Sequence, residues 1–262
     1  MRSVVLSERL KTVADMAAVG NRVCDVGCDH GFVPIYLVQQ GRSPRVLAMD
    51  LREGPLRAAR EHVAAYGLDG QIETRLSDGL HNYVIGEADT LICAGMGGGL
   101  MLRILAREKE KAMSFQELIL QPQSEIEQFR RFLRENGFCI CDEEILLEEG
   151  KFYQVIRAVP WRKEGTDSGT MPENPERRQE MSCTGEENEL CKLFDRYGPI
   201  LMRKRTPVFL LFLEREAALY EEILGNLRSR GLHGEKRRVR YEQVEALLQD
   251  NRRARQPGNS CF

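Results

Sequence analysis

Three aspartates fall at the ends of three successive strand-like segments: Asp25 in RVCDVG (22–27), Asp50 in RVLAMDL (45–51) and Asp78 in QIETRLSDG (71–79). Carboxylates beyond the carboxyl ends of parallel strands can accept hydrogen bonds from a nucleoside. Asp50 suits a pair of ribose hydroxyls, Asp78 an adenine amino group, and Asp25 either its own loop or the cationic amino end of a ligand. One such aspartate is commonly a turn cap; three in succession point to a nucleoside site. The stretch VCDVGCDHGFVP (23–34) keeps the acid-x-Gly-x-Gly-x-Gly spacing through Asp25, Gly27 and Gly31, but Asp29 stands at the middle glycine, followed by His30. A dinucleotide fingerprint needs a small residue there, so that backbone can approach a pyrophosphate. The Asp29 anion would repel those phosphates, whereas S-adenosylmethionine has none and carries a positive sulfonium. The charges favour the methyl donor over NAD.

A second glycine run, AGMGGG (94–99), follows the fourth apolar run. In enzymes that methylate amino groups this is where the target-binding loop sits, and glycines leave room there for a flat base. A tight strand-to-helix turn explains the same glycines. The Asn-Pro-Pro-aromatic segment common to enzymes acting on exocyclic amino groups is missing, which favours a ring nitrogen over N6.

The elements that must hold these groups read as alternating strands and helices. Strands are expected at 22–27, 45–51, 71–79, 88–98 and 117–123, with helices over 54–65, 98–111 and 124–136; Pro55 suits a first helical turn. FCICDEEILLEE and KFYQVIRAVPW meet at Gly150 with no helix between, so a hairpin should close the sheet. Parallel strands finished by an antiparallel hairpin give an α/β fold, the seven-stranded, Rossmann-like sheet of class I methyltransferases. A methyltransferase domain over 1–162 is expected, then a polar linker or loop over 163–189 and a basic helical domain over 190–256. In the last, Leu213, Ala217, Tyr220, Leu224 and Leu227 keep heptad-like steps. With Tyr241, Val244 and Leu248 they predict a coiled-coil hairpin; the terminal QPGNSCF should fray.

Charge separates along the chain. Residues 196–255 hold 14 Lys/Arg against 8 Asp/Glu, a net of +6, which leaves −8 for the rest of a chain whose formal charge is −2. That asymmetry suits a basic binding module beside a catalytic body, although a solvated helical hairpin would look the same. The N-terminus lacks a signal-peptide core and PVFLLFL is too short to span a bilayer. The eight cysteines form no CxxC pair; reduced thiols, no metal and a cytoplasmic location are expected.

Together, LSERLKTVA, DVGCDHGFVP, EGPLRAA, DGL (78–80), AGMGG, LILQPQ and EEGKFYQV, in order over residues 6–158, resemble the bacterial TrmK family, which methylates N1 of adenine 22 in tRNA. The family more often carries serine at 28, glutamate at 50, asparagine at 123 and glutamate at 154; Asp50 preserves ribose binding, while Gln154 weakens any acid role there. The resemblance implies S-adenosylmethionine as cofactor, tRNA as partner and a monomer. It implies a cofactor site of Asp25, Gly27, Cys28, His30, Gly31, Asp50, Leu51, Asp78, Gly79, Gly95 and Met96. Gly97, Gly98 and Gln121 would meet the target base, and Arg228, Arg230, Arg237 and Arg238 the tRNA phosphates. N1 already has an in-plane lone pair, so catalysis needs alignment and stabilisation of the charge appearing on the base. Asp29 is the candidate for that role, with Tyr153 beside it. Methylation of another RNA base or a small heteroaromatic, and RNA binding over a degenerate cofactor site, are the competing readings.

Overall fold

The most apolar runs form strands that are covered on both faces. In β1 (Val23–Val26), β2 (Val46–Asp50) and β5 (Glu117–Pro122) every residue is buried, as parallel strands sandwiched between helices require. With β3 (Ile72–Leu76), β4 (Thr90–Met96), β6 (Phe138–Glu148) and β7 (Lys151–Pro160) they make one seven-stranded sheet, ordered β3-β2-β1-β4-β5-β7-β6. The first five strands pair in parallel, while β7 is antiparallel to both β5 and β6. The seven-stranded methyltransferase sheet and its closing hairpin are therefore present. The structure, a computed structural model, describes residues 3–161, 189–231 and 233–256.

Successive residues of each strand serve opposite cores. Cys24, Val26, Leu47 and Met49 face one cluster, completed by Met101 and Leu105 of α4 (Gly98–Arg107) and by Phe129 and Leu133 of α6 (Ile126–Glu135). Val23, Val46 and Ala48 face the other. That side is covered by α1 (Glu8–Met16), α2 (Phe32–Gln39) and α3 (Glu53–Ala65). The helix read over 98–111 is in fact two: α4 stops at Glu108, where φ −113° and ψ 43° break the turn, and α5 (Lys109–Ser114) follows. The third strand is shorter than its apolar run, so Asp78 sits in the loop beyond Leu76. Buried Arg130 donates to Glu143 (2.7 Å) and to Gln154 (2.5 Å), pinning α6 to the hairpin.

The chain divides into two compact units, Met1–Asn174 and Pro175–Phe262. The second contains α7 (Glu189–Tyr197), α8 (Pro199–Lys204), α9 (Pro207–Ser229) and α10 (Glu235–Arg255). Ala217 and Leu224 of α9 pack against Val244 and Leu248 of α10, with Tyr220 and Tyr241 alongside. Leu213 is also buried, so the heptad spacing marks a real seam. Glu216 accepts from the Tyr197 (2.7 Å) and Tyr220 (2.9 Å) hydroxyls and from the Asn251 amide (2.9 Å). The polar segment 163–189 lies outside the described residues except for Glu189, as does the C-terminal tail beyond Gln256. Cys24, Cys28, Cys93, Cys139 and Cys141 are free thiols. Cys191 is disulfide-bonded, which corrects the reading of all eight cysteines as reduced.

Candidate functional site

Where β1 and β4 lie side by side, the strand order reverses, and their carboxyl ends open into a cleft of about 530 Å³. Parallel α/β sheets take ligands at such a point. The cleft wall gathers Asp25, Gly27, Cys28, Asp29 and His30 from β1 and its turn, and Asp50 and Leu51 from β2. Asp78 and Gly79 come from the β3 loop, and Gly95 and Met96 from β4. A second hollow of about 430 Å³, around Arg22, Arg45, Glu73 and Glu87, lies at the sheet's other end. Its charges pair with one another or with neighbours (Arg22–Asp89 2.9 Å, Arg45–Glu73 3.4 Å, Arg75–Glu87 2.8 Å).

The β1 turn is tied to β2. The Gly27 and Cys28 amides both donate to the Met49 carbonyl, at 2.8 and 3.0 Å. The Asp29 amide donates to Asp50 Oδ2 (3.2 Å), while Oδ1 accepts from the Arg52 amide (2.9 Å). Each carboxylate oxygen has a second lone pair, so Asp50 can still accept from two hydroxyls. Gly27 has φ +80°, and a Cβ there would stand 2.8 Å from Met96 Cε. Asp29 itself is left-handed at φ 50°, a conformation Asn and Asp tolerate better than other side-chain-bearing residues. The turn thereby points the Asp29 carboxylate outward: its side chain is 64% exposed, with His30 Nε2 3.8 Å away.

Asp25 and Asp78 differ in electrostatic state. Burial, and then the charge of Asp50, push Asp25 up to about 7. Among the described residues no protein donor reaches the Asp25 carboxylate, so a cationic ligand would be its natural counter-charge. Asp78 is held below the usual carboxylate range by Arg107, which donates from Nη1 to Oδ2 (2.7 Å) and from Nη2 to the Asp78 carbonyl (2.6 Å). Burial and the nearby aspartates push the Cys28 thiol up. It is therefore held as the neutral thiol rather than the thiolate.

Several expected site residues stand elsewhere. Gly31 caps α2 against Ala59 (3.1 Å from an added Cβ) and is off the cleft wall. Gly97 caps α4, and a Cβ on Gly98 would collide with the Ser124 carbonyl, so close packing accounts for Gly98. Gln121 is fully buried: its Oε1 accepts from Arg9 Nη1 (2.9 Å) and the Gly95 amide (3.2 Å). It can shape the Gly95 turn but not touch a substrate. Tyr153 is half-buried off the cleft wall, its ring centroid 5.3 Å from the Arg9 guanidinium carbon. Gln154 is buried under Arg130, where no acid role is possible.

Arg228, Arg230, Arg237 and Arg238 are exposed in the second unit. Arg228 donates to the Tyr241 hydroxyl, Arg237 to the carbonyls ending α9, and Arg238 lies 3.9 Å from Glu242. The cleft residues that sequence reasoning missed are chiefly Arg9, Arg52, Ser77, Leu100 and Gln123. Arg9 and Gln123 carried a hint, since they fall within LSERLKTVA and LILQPQ. Among the described residues no cluster of metal-ligating side chains occurs, and no helix is long and apolar enough to cross a membrane.

The sequence matches the family model described as a methyltransferase domain over residues 6–156. It is 37% identical over 158 residues to the tRNA (adenine(22)-N(1))-methyltransferase of Bacillus subtilis, covering 60% of this chain and 66%, just under two thirds, of that enzyme. Structurally it resembles the crystal structure of the B. subtilis m1A22 tRNA methyltransferase TrmK (TM-score 0.78, 27% identity, 96% of this chain and 99% of that one). A Streptococcus pneumoniae protein crystallised in complex with S-adenosyl-L-methionine is similar as well (TM-score 0.75, 28% identity, 95% and 99%).

Proposed function

The chain belongs to the methyltransferase-domain family, and we propose that it is an enzyme of the TrmK kind, which methylates N1 of adenine 22 in tRNA. S-adenosylmethionine is its methyl donor, tRNA its partner and the cytoplasm its place of work. The observation that carries this reading is the left-handed Asp29 at the centre of the β1 turn. It puts an outward carboxylate on a cleft wall where a phosphate-bearing cofactor would be repelled.

The cleft fits the donor on its own chemistry. Asp25, without a donor among the described residues, faces the cationic amino end; Asp50 keeps lone pairs for ribose hydroxyls; Asp78, fixed by Arg107, accepts from an adenine amino group. Bound there, S-adenosylmethionine supplies an electrophilic methyl group on a positively charged sulfur. Asp29 acts on the acceptor. Its carboxylate takes a hydrogen bond from the N6 amino group, which orients N1 and stabilises the positive charge that methylation creates on the base. A preorganised acceptor of this kind contributes about 2–4 kcal/mol to the transition state. No base is required, because N1 carries no proton to remove.

N1 lies on the Watson–Crick edge, so the nucleotide must be unpaired or flipped before it can enter. Tyr153 supports Arg9 rather than the base. Arg228, Arg230, Arg237 and Arg238 hold tRNA phosphates by charge and shape.

The test incubates the full chain and S-adenosylmethionine with unmodified tRNA bearing adenine at 22. Nucleoside mass spectrometry then identifies the product, and primer-extension arrest locates it. The expected result is 1-methyladenosine at position 22. Methylation at another atom or position, or none while the cofactor binds, overturns the reading.

A further inference from the structure

Arg9 lines the cleft but has no part in the chemistry above. It projects from the first turn of α1, and its side chain is only 18% exposed. Three strands orient its head group. Nη1 donates to Gln121 Oε1 on β5 (2.9 Å), Nε stands 4.0 Å from Glu148 Oε2 on β6, and the Tyr153 ring of β7 lies 5.3 Å from Cζ. Glu148 also accepts from the Arg9 amide (3.1 Å), so backbone and side chain are both anchored. Nη1 borders the Gly95 turn, 3.7 Å from where a Cβ would be.

A guanidinium has five N–H donors. Among the described residues only Gln121 takes one of them, since Glu148 at 4.0 Å lies beyond hydrogen-bond range. Among the described residues both Nη2 protons are left without an acceptor, on a cation whose position costs a ligand little further ordering. Planar, paired donors of that kind match two oxygens that share one negative charge.

We propose that Arg9 is an anion clamp in the cleft. Its ligand is either the carboxylate at the amino-acid end of the methyl donor or the phosphodiester of the target nucleotide. The two share one chemistry, and their identity rests on the function proposed above.

The experiment compares wild type with Arg9→Gln and Arg9→Lys in the full chain. Calorimetry uses S-adenosylmethionine and its decarboxylated analogue, and tRNA affinity is measured across a salt series. If the cofactor carboxylate is the ligand, Arg9→Gln weakens S-adenosylmethionine at least tenfold and leaves the decarboxylated analogue unchanged. If the phosphodiester is the ligand, both cofactors bind as before, tRNA affinity drops, and the log–log salt slope shrinks by about 0.9. In either case Arg9→Lys restores only part of the loss, because an ammonium cannot make the paired contact. Equal weakening of both cofactors, or no change in any of the three ligands, overturns the clamp. Wild-type protein that makes no 1-methyladenosine defeats the proposed function instead, and the calorimetric comparison still decides for or against the carboxylate.

Discussion

Removing the charge of Asp25 should stabilise the sheet unit, by an amount that grows with pH. The Asp25 carboxyl rises from 3.8 to about 7 in the folded protein, chiefly through burial and secondly through the charge of Asp50. Between these values the unfolded chain has released the proton and the native state still holds it. Stability therefore falls as pH rises, by about 1.36 kcal/mol per unit, until pH passes the folded value. From pH 5.5 to 8.5 the loss comes to about 2 kcal/mol. Asp25→Asn keeps the shape and cannot ionise, so the difference between variant and wild type isolates this group from every other titration. Urea unfolding of cofactor-free protein, followed through the sole tryptophan, Trp161, reports on the unit that contains Asp25. The variant should gain about 2 kcal/mol over wild type across that range. A stability difference that stays constant from pH 5.5 to 8.5 would refute the reasoning, because Asp25 would then be ionised throughout. The same proton has a counterpart in binding: a cationic amino group selects the ionised carboxylate, so S-adenosylmethionine should bind about tenfold more weakly at pH 6 than at pH 8.

Three further outcomes are expected. Asp29→Ala should leave cofactor affinity unchanged in calorimetry and lower kcat by about 30- to 1,000-fold, the equivalent of the 2–4 kcal/mol assigned to it; a tenfold loss or less would remove it from the transition state. Gly27→Ala, at φ +80° with Met96 Cε 2.8 Å from the new Cβ, should cost about 1–3 kcal/mol in urea unfolding and weaken S-adenosylmethionine; wild-type behaviour in both would mean the turn has slack. Replacing Arg230, Arg237 and Arg238 together by glutamine should weaken tRNA and flatten its salt dependence while leaving cofactor calorimetry unaltered. An unchanged salt slope would take the helical hairpin out of tRNA binding.

The sheet and its hairpin are legible in the sequence because their determinants are local. Apolar runs such as VLAMD and ELILQP need only be covered on both faces, and Gly150 (φ +80°) turns β6 into β7 without a helix. The aspartates at strand ends are legible for the same reason. Arg9 and Gln121 are not. Their bond joins residues 112 positions apart, and no periodicity in either segment announces it. Gln121 suggested a substrate contact because it belongs to a motif, yet burial turns it inward to shape a turn. Gly98 suggested room for a base, when the close approach of the Ser124 carbonyl already requires it. Where α4 ends was equally hidden, since the break at Glu108 is a matter of backbone angles and the flanking residues all favour helix.

That break gives α4 a property of its own. The helix starts at the glycine turn, where Ser124 Oγ and Glu125 Oε2 take the Gly98 and Gly99 amides (3.3 and 2.7 Å), and ends with Arg107 gripping Asp78. Its ten residues are thus a spacer of about 15 Å between two loops of the cleft. Exposed positions along it are free to vary in sequence. Its length is not free: one inserted or deleted residue would rotate Arg107 by about 100° and carry it away from Asp78. Among homologues this stretch should tolerate substitutions at its exposed positions and reject insertions and deletions.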